Sequence, residues 1–240
     1  MLIAANGHGA NADVYEVRGL TEPVNDVVLS APTPGLISLI PQGEGGQVAQ
    51  GGTILELNNR PELLELDRKR VQLQTLSAEL ERSEMLFKTS SSLPREELER
   101  KRAEVAVAQV ELAQAEEALV RRKVVAPFAG IITLMPVKVG EYCELGKPVA
   151  RVVDISEFYA VSNVDPARVG GLRTGHAVEI SIASPAGPLT LPGEIVFIAP
   201  VIDSASGLLR IKARFANPGE RVRPGVAGQL RIPVSHDTGN

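Results

Sequence analysis

Residues 31–57, APTPGLISLIPQGEGGQVAQGGTILEL, and residues 126–152, APFAGIITLMPVKVGEYCELGKPVARV, align without a gap at a constant offset of 95. Eight positions are identical: Ala31/Ala126, Pro32/Pro127, Gly35/Gly130, Ile37/Ile132, Leu39/Leu134, Pro41/Pro136, Gly45/Gly140 and Gly51/Gly146. Average composition predicts about two. Apolar pairs such as Val48/Cys143, Ile54/Val149 and Leu57/Val152 extend the match. Each copy reads as short strands punctuated by Gly and Pro, with Ile37 and Leu39, or Ile132 and Leu134, placed to fill one face of a sheet. One copy is too small to hide that face. Two copies packed together close a split β-sandwich, so the duplicated segments are predicted to meet in space.

Between the copies the chain changes character. No glycine occurs from Gly52 to Gly130, and residues 61–122 are rich in Leu, Glu, Arg, Gln and Ala, all good helix formers. Leu66, Leu73, Leu80 and Phe87 recur every seven residues, joined by Leu76; Leu98, Val105, Leu112 and Leu119 repeat the pattern, joined by Ala108 and Ala115. The break falls at Thr89 to Pro94, where serines offer N-caps and Pro94 suits a first helical turn. The spacing predicts an antiparallel coiled-coil hairpin over residues 60–123. Its arms of about 28 residues would each run about 40 Å. The sandwich halves, 31–59 and 124–154, bring the ends of the hairpin together. A compact domain covers only the base of such arms, so the tip is predicted to project.

The C-terminal third, residues 155–234, shows short alternating strands at Phe158–Val164, Ala177–Ala183, Gly193–Ala199, Leu208–Phe215 and Gln229–Val234. Asp165 can cap a short helix opened by Pro166. Segments 184–188 and 217–225 read as turns, and residues 235–240 as a tail. A compact β-barrel is predicted. The fold class is therefore mainly β with an α-helical hairpin: a split sandwich, the hairpin, and a C-terminal β-barrel.

Composition narrows function. Only 3% of residues are aromatic and none is Trp, which leaves little with which to stack nucleic-acid bases, and a net charge of −4 supplies no general field for phosphate. Cys143 is the single cysteine, so neither an internal disulfide nor a thiolate cluster can form. His8, His176 and His236 lack the spacing of a helix-borne metal site, and Met1, Met85 and Met135 do not cluster. Gly43 to Gly46 lacks the Lys-Ser/Thr of a P-loop, and no serine sits in a nucleophile elbow. Neither a catalytic site, nor a cofactor, nor a metal is predicted.

The order of the paired Ala-Pro-x-x-Gly segments (Ala31 to Gly35, Ala126 to Gly130), the Val-Gly-Glu run at 139–141, and Asn217-Pro218 followed by Arg223-Pro224-Gly225 resembles the periplasmic adaptor, or membrane fusion protein, family of RND-type efflux pumps and HlyD-like secretion systems. The resemblance implies a lipoyl-like barrel-sandwich hybrid and a non-enzymatic subunit that joins an inner-membrane transporter to an outer-membrane channel. It further implies a periplasmic location at the inner membrane, with the export signal or anchor not present in this chain, and self-association into a ring, trimeric or hexameric. An ABC-type export or type I secretion partner is the alternative transporter. By the same resemblance, residues 1–30 would contribute strands of a partial membrane-proximal region.

Two finer implications concern sites. Lipoyl and biotinyl carriers bear their cofactor on a lysine in the turn that joins the sandwich halves. That turn falls here at Asn58 to Arg60, where the hairpin is inserted, which argues against a carrier. In adaptors that dock on tunnel-like channels, the hairpin tip carries Arg, then Leu four residues on, then Ser seven further. Arg82 and Leu86 fit, and Ser92 stands one residue early, so these three are the candidate partner-binding residues. The competing reading makes Arg82 a solvated helix residue and Leu86 ordinary seam packing.

Overall fold

A computed structural model describes residues 13–90, 94–183 and 187–234. Its elements run β1 (Asp13–Pro23), β2 (Asp26–Ser30), β3 (Gly35–Leu39), β4 (Gln47–Val48), β5 (Thr53–Leu57), α1 (Arg60–Ser90), α2 (Arg95–Val120), β6 (Lys123–Val125), β7 (Gly130–Leu134), β8 (Tyr142–Cys143), β9 (Pro148–Val153), β10 (Glu157–Val164), β11 (Ala177–Ile182), β12 (Leu189–Ile198), β13 (Leu209–Ala216) and β14 (Ala227–Val234). Val27–Val152 form one compact unit, and the chain before and after them forms the other. Among the described residues, no helix is long and apolar enough to cross a membrane.

The duplicated segments do meet, and they meet reciprocally. Two four-stranded sheets, in the orders β2-β9-β7-β4 and β6-β5-β3-β8, each draw strands from both copies. Gly35 pairs with Cys143 across β3 and β8; at the same offset, Gly130 pairs with Val48 across β7 and β4. Hydrogen bonds outside the ladders obey the same symmetry. Gly45 N–H donates to the Ile132 carbonyl at 2.8 Å, and its repeat counterpart Gly140 donates to Ile37 at 2.9 Å. Each copy thus supplies an edge strand to a sheet of the other, and the two sheets enclose a shared core. That core includes Ile37, Ile54, Leu57, Ile132, Cys143 and Val149, none more than 1% exposed. Burial in this core pushes the Cys143 thiol above its ordinary pKa.

The barrel closes in the order β1-β10-β13-β12-β11-β14, with antiparallel pairing throughout. Alternate residues point inward, as the period of a strand requires: Phe158, Ala160, Ser162 and Val164 on β10, Val178, Ile180 and Ile182 on β11, and Ile211, Ala213 and Phe215 on β13. Phe158 and Phe215 meet in the core with ring centroids 5.9 Å apart. As expected, Asp165 accepts the Ala167 N–H at 2.9 Å and Pro166 opens the turn, which is a single 3-10 turn, Pro166–Arg168.

Four expectations need correction. Leu39 and Leu134 do not fill the inner face beside Ile37 and Ile132: they are exposed, and a bulge between Ile37 and Leu39 breaks the alternation on β3. Asp13–Pro23 is not part of a membrane-proximal region: the five C-terminal strands leave β10 and β14 each with an open edge, and β1 pairs with both. Asp26–Ser30 is likewise a sandwich strand. Pro94 stands at the N-cap of α2 rather than inside its first turn, with φ −61° and ψ 140° and no side-chain cap. β12 begins four residues before the expected Gly193, because Leu189 to Pro192 pair with β11. Residues 184–186 of the expected loop and the tail 235–240 lie outside the described residues.

Candidate partner-binding surface of the hairpin

The 31 residues of α1 and the 26 of α2 bury their apolar heptads against one another. Leu66, Leu98, Val105, Ala108 and Ala115 are each 8% exposed or less. None of the helical residues belongs to the sandwich or barrel core. The helices are therefore held chiefly by their own seam, not by a globular surface beneath them. Ser83 fills the seam position between Leu80 and Phe87. Its buried hydroxyl donates to the Glu79 carbonyl at 2.9 Å, so the slot is both narrow and satisfied.

Charged residues flanking the seam fix the register. Lys69 reaches Glu111 at 2.6 Å, Lys101 reaches Glu79 at 3.6 Å and Arg102 reaches Glu84 at 2.8 Å. Lys69, in the first half of α1, thus meets the second half of α2, while Glu79 and Glu84, nearer the tip, meet the first turns of α2, as antiparallel pairing requires. The Glu84 hydrogen bond, followed by the Glu84 and Glu99 charges, raises the Arg102 pKa above its ordinary value.

Near the tip, the outward side of α1 carries Arg82 and Leu86, one turn apart. Arg82 is exposed and, among the described residues, has no carboxylate within ion-pair distance. Leu86 is 53% exposed and adjoins Met85, which is 54% exposed. Leu86 is therefore not seam packing; Ser83 and Phe87 hold those positions. Ser92, the third candidate residue, lies outside the described residues. A groove beside the tip, lined by Glu84, Phe87, Arg95, Leu98 and Arg102, was not anticipated. Glu84 and Arg102 flank the heptad seams, which is the sequence signal that points to it.

At the other end, the turn of a carrier domain is replaced by a helix start. Asn58 Oδ1 accepts the Arg60 N–H at 3.3 Å, and the Asn59 carbonyl accepts the Leu63 N–H at 3.0 Å. The segment Asn58 to Arg60 contains no lysine.

A family described as the CusB-like, beta-barrel domain matches residues 160–235. An uncharacterized protein of Haemophilus influenzae is 29% identical over 231 residues, covering 94% of this chain and 59% of that protein. Multidrug resistance protein MdtA of Pectobacterium carotovorum is 27% identical over 238 residues, covering 90% of this chain and 57% of that protein. In fold, the chain is similar to a MacA-MexA chimeric protein that contains the Pseudomonas aeruginosa MexA alpha-hairpin domain. The TM-score is 0.79 at 17% identity, over 93% of this chain and 82% of that one. The barrel is thus similar to the CusB-like family, and the fold to that of membrane fusion, or periplasmic adaptor, proteins.

The chain spans about three fifths of the length of the curated relatives it matches. The matched barrel segment begins inside β10, so β1, the strand that closes the barrel, lies outside it. Two of the adaptor-like motifs are structural. Asn217, 4% exposed, donates from Nδ2 to the carbonyls of Ile155 at 2.8 Å and Val222 at 3.0 Å, and its Oδ1 accepts the Val222 N–H at 2.9 Å. Arg223-Pro224-Gly225 docks β1: the Gly225 N–H donates to the Thr21 carbonyl at 2.8 Å, and the Thr21 hydroxyl donates to the Arg223 carbonyl at 3.0 Å.

Proposed function

We propose that this chain is the periplasmic adaptor of a tripartite efflux pump of the RND type, located in the periplasm at the inner membrane. It links an inner-membrane transporter to an outer-membrane channel and works as a ring of copies, trimeric or hexameric, with no catalytic step of its own. The carrying observation is the hairpin: it satisfies its apolar seam internally and leaves Arg82, Leu86 and Met85 outward at the end farthest from the sandwich. An exposed cation beside exposed apolar side chains suits recognition of another protein. The RND assignment is supported by the match to a CusB-like barrel of the RND class, and export is supported by likeness to a relative named for multidrug resistance. In this reading Arg82, Leu86 and Ser92 meet the channel.

The test places a photocrosslinking amino acid at position 86 in living cells and identifies adducts by mass spectrometry. An outer-membrane channel protein captured at 86, and not at the sandwich position Lys138, supports the reading. Capture of soluble proteins alone, or of nothing, overturns it.

A further inference from the structure

At the base of the hairpin a single residue ties four parts of Val27–Val152 together. The Arg122 N–H donates to the Leu119 carbonyl at 3.0 Å, continuing α2, and its own carbonyl accepts the Leu57 N–H at 2.8 Å, at the end of β5. Its guanidinium forks: Nη2 pairs with Glu62 Oε1 in the first turn of α1, and Nη1 donates to the Pro34 carbonyl at 2.9 Å, just before β3. The ion pair is largely buried, with side chains 21% and 14% exposed, and Glu62 Oε2 is buried with no hydrogen-bond partner among the described residues. Glu62 therefore depends on Arg122 for compensation of its charge. The site is also sterically set: a Cβ on Gly35 would stand 2.9 Å from Arg122 Nη1.

We propose that Arg122 is the positioning residue that holds the hairpin at a set angle to the sandwich, a bidentate clamp between the first turn of α1 and the Pro34 carbonyl. The backbone links at the base, from the Leu57 N–H to the Arg122 carbonyl and from the Asn58 N–H to the Leu36 carbonyl, each at 2.8 Å, join the chain ends, and neither involves a residue of α1 that would oppose a swing of its axis. The guanidinium is planar and its two prongs point to two bodies, so it resists that swing. Leverage makes this consequential: on an arm of about 40 Å, a rotation of about 5° carries the tip about 3.5 Å. The clamp operates whatever the tip meets.

Pulsed electron-electron distance measurements on the full chain test this, with spin labels at Gln74→Cys on α1 and Lys138→Cys on the sandwich in a Cys143→Ala background. Arg122→Gln is expected to widen the distance distribution by about twofold at unchanged helix content, as for a released hinge. Gly35→Ala, which displaces only the prong toward Pro34, is expected to widen it less. Should Arg122→Gln lose helix, Gly35→Ala decides. Distributions as narrow as the parent's in the folded variants overturn the proposal.

Discussion

The N–H of Gly146 donates to the carbonyl of Ala31 at 2.9 Å, and the N–H of Gly51 donates to that of Ala126 at 2.8 Å. The whole helical hairpin intervenes in sequence between the partners of the first bond. These bonds are one bond twice over, since Gly146 and Ala126 stand 95 residues after Gly51 and Ala31. Both donors adopt a left-handed backbone, φ 74° at Gly51 and 77° at Gly146, with open space where a Cβ would stand. Strain would come from the backbone alone. Each Gly→Ala change is expected to lower unfolding stability by about 1–2 kcal/mol, additively because the sites are separate. Gly43, which has space around it and no positive φ, is the control: Gly43→Ala should be neutral or slightly stabilising in the same denaturant titration.

The seam and the tip should respond oppositely to truncation. Leu98 is 3% exposed, so Leu98→Ala should cost about 2–5 kcal/mol and lower helical circular dichroism. Leu86→Ala, at a position 53% exposed, should stay within about 0.5 kcal/mol of the parent. Equal effects would mean that Leu86 carries packing load.

Asn217→Ala orphans the Val222 N–H and the carbonyls of Ile155 and Val222 inside the barrel. A cost of about 1–3 kcal/mol for each group left unpaired is expected, visible as a lower thermal midpoint. A midpoint equal to the parent's would show that the amide network adds nothing.

In the proposed efflux role, Arg82→Asp should abolish export while leaving the thermal midpoint unchanged, because the side chain is exposed. The readout is substrate accumulation in cells expressing the variant at the parent's level. Unchanged export removes Arg82 from the tip contact.

Acid should weaken the barrel unit through Asp154. Burial alone would raise its pKa, but hydrogen bonds from the Ser156 hydroxyl at 2.6 Å, the Ser156 N–H at 2.9 Å and Asn25 Nδ2 at 3.1 Å outweigh that and lower it. A depressed folded-state pKa contributes stability above the unfolded carboxylate value of about 3.9, and the contribution is lost as pH falls through the folded value. Asp154→Asn should therefore be less stable than the parent at pH 7, with a smaller loss between neutral and acid pH in urea titrations. Parallel pH profiles for the two chains would rule the contribution out.

Much of this architecture was legible along the chain. The helical heptads are local, so Leu66, Leu98 and Val105 announced their own seam. The repeat made the sandwich visible, since two matching segments with matching Gly positions pack as equivalents. At the tip, the spacing of Arg82 and Leu86 could be read, and the heptad already put Phe87 rather than Leu86 in the seam, but the degree of exposure of Leu86 depends on how the two helices pack. The Arg122 fork was invisible for the same reason, because Pro34 and Glu62 lie 88 and 60 residues away.

By itself, the sequence determined which stretches are helix and which are strand, and that the two copies complete each other, because periodicity and repetition are properties of neighbours. Which strand closes the barrel was decided only by the tertiary structure. Asp13–Pro23 alternates like any strand, and its partners, Glu157–Val164 and Ala227–Val234, are chosen by the open edges those strands present once folded. Edge pairing is a relation between distant backbones, in which N–H and C=O groups are alike for every residue. No pattern of side chains announces it in advance.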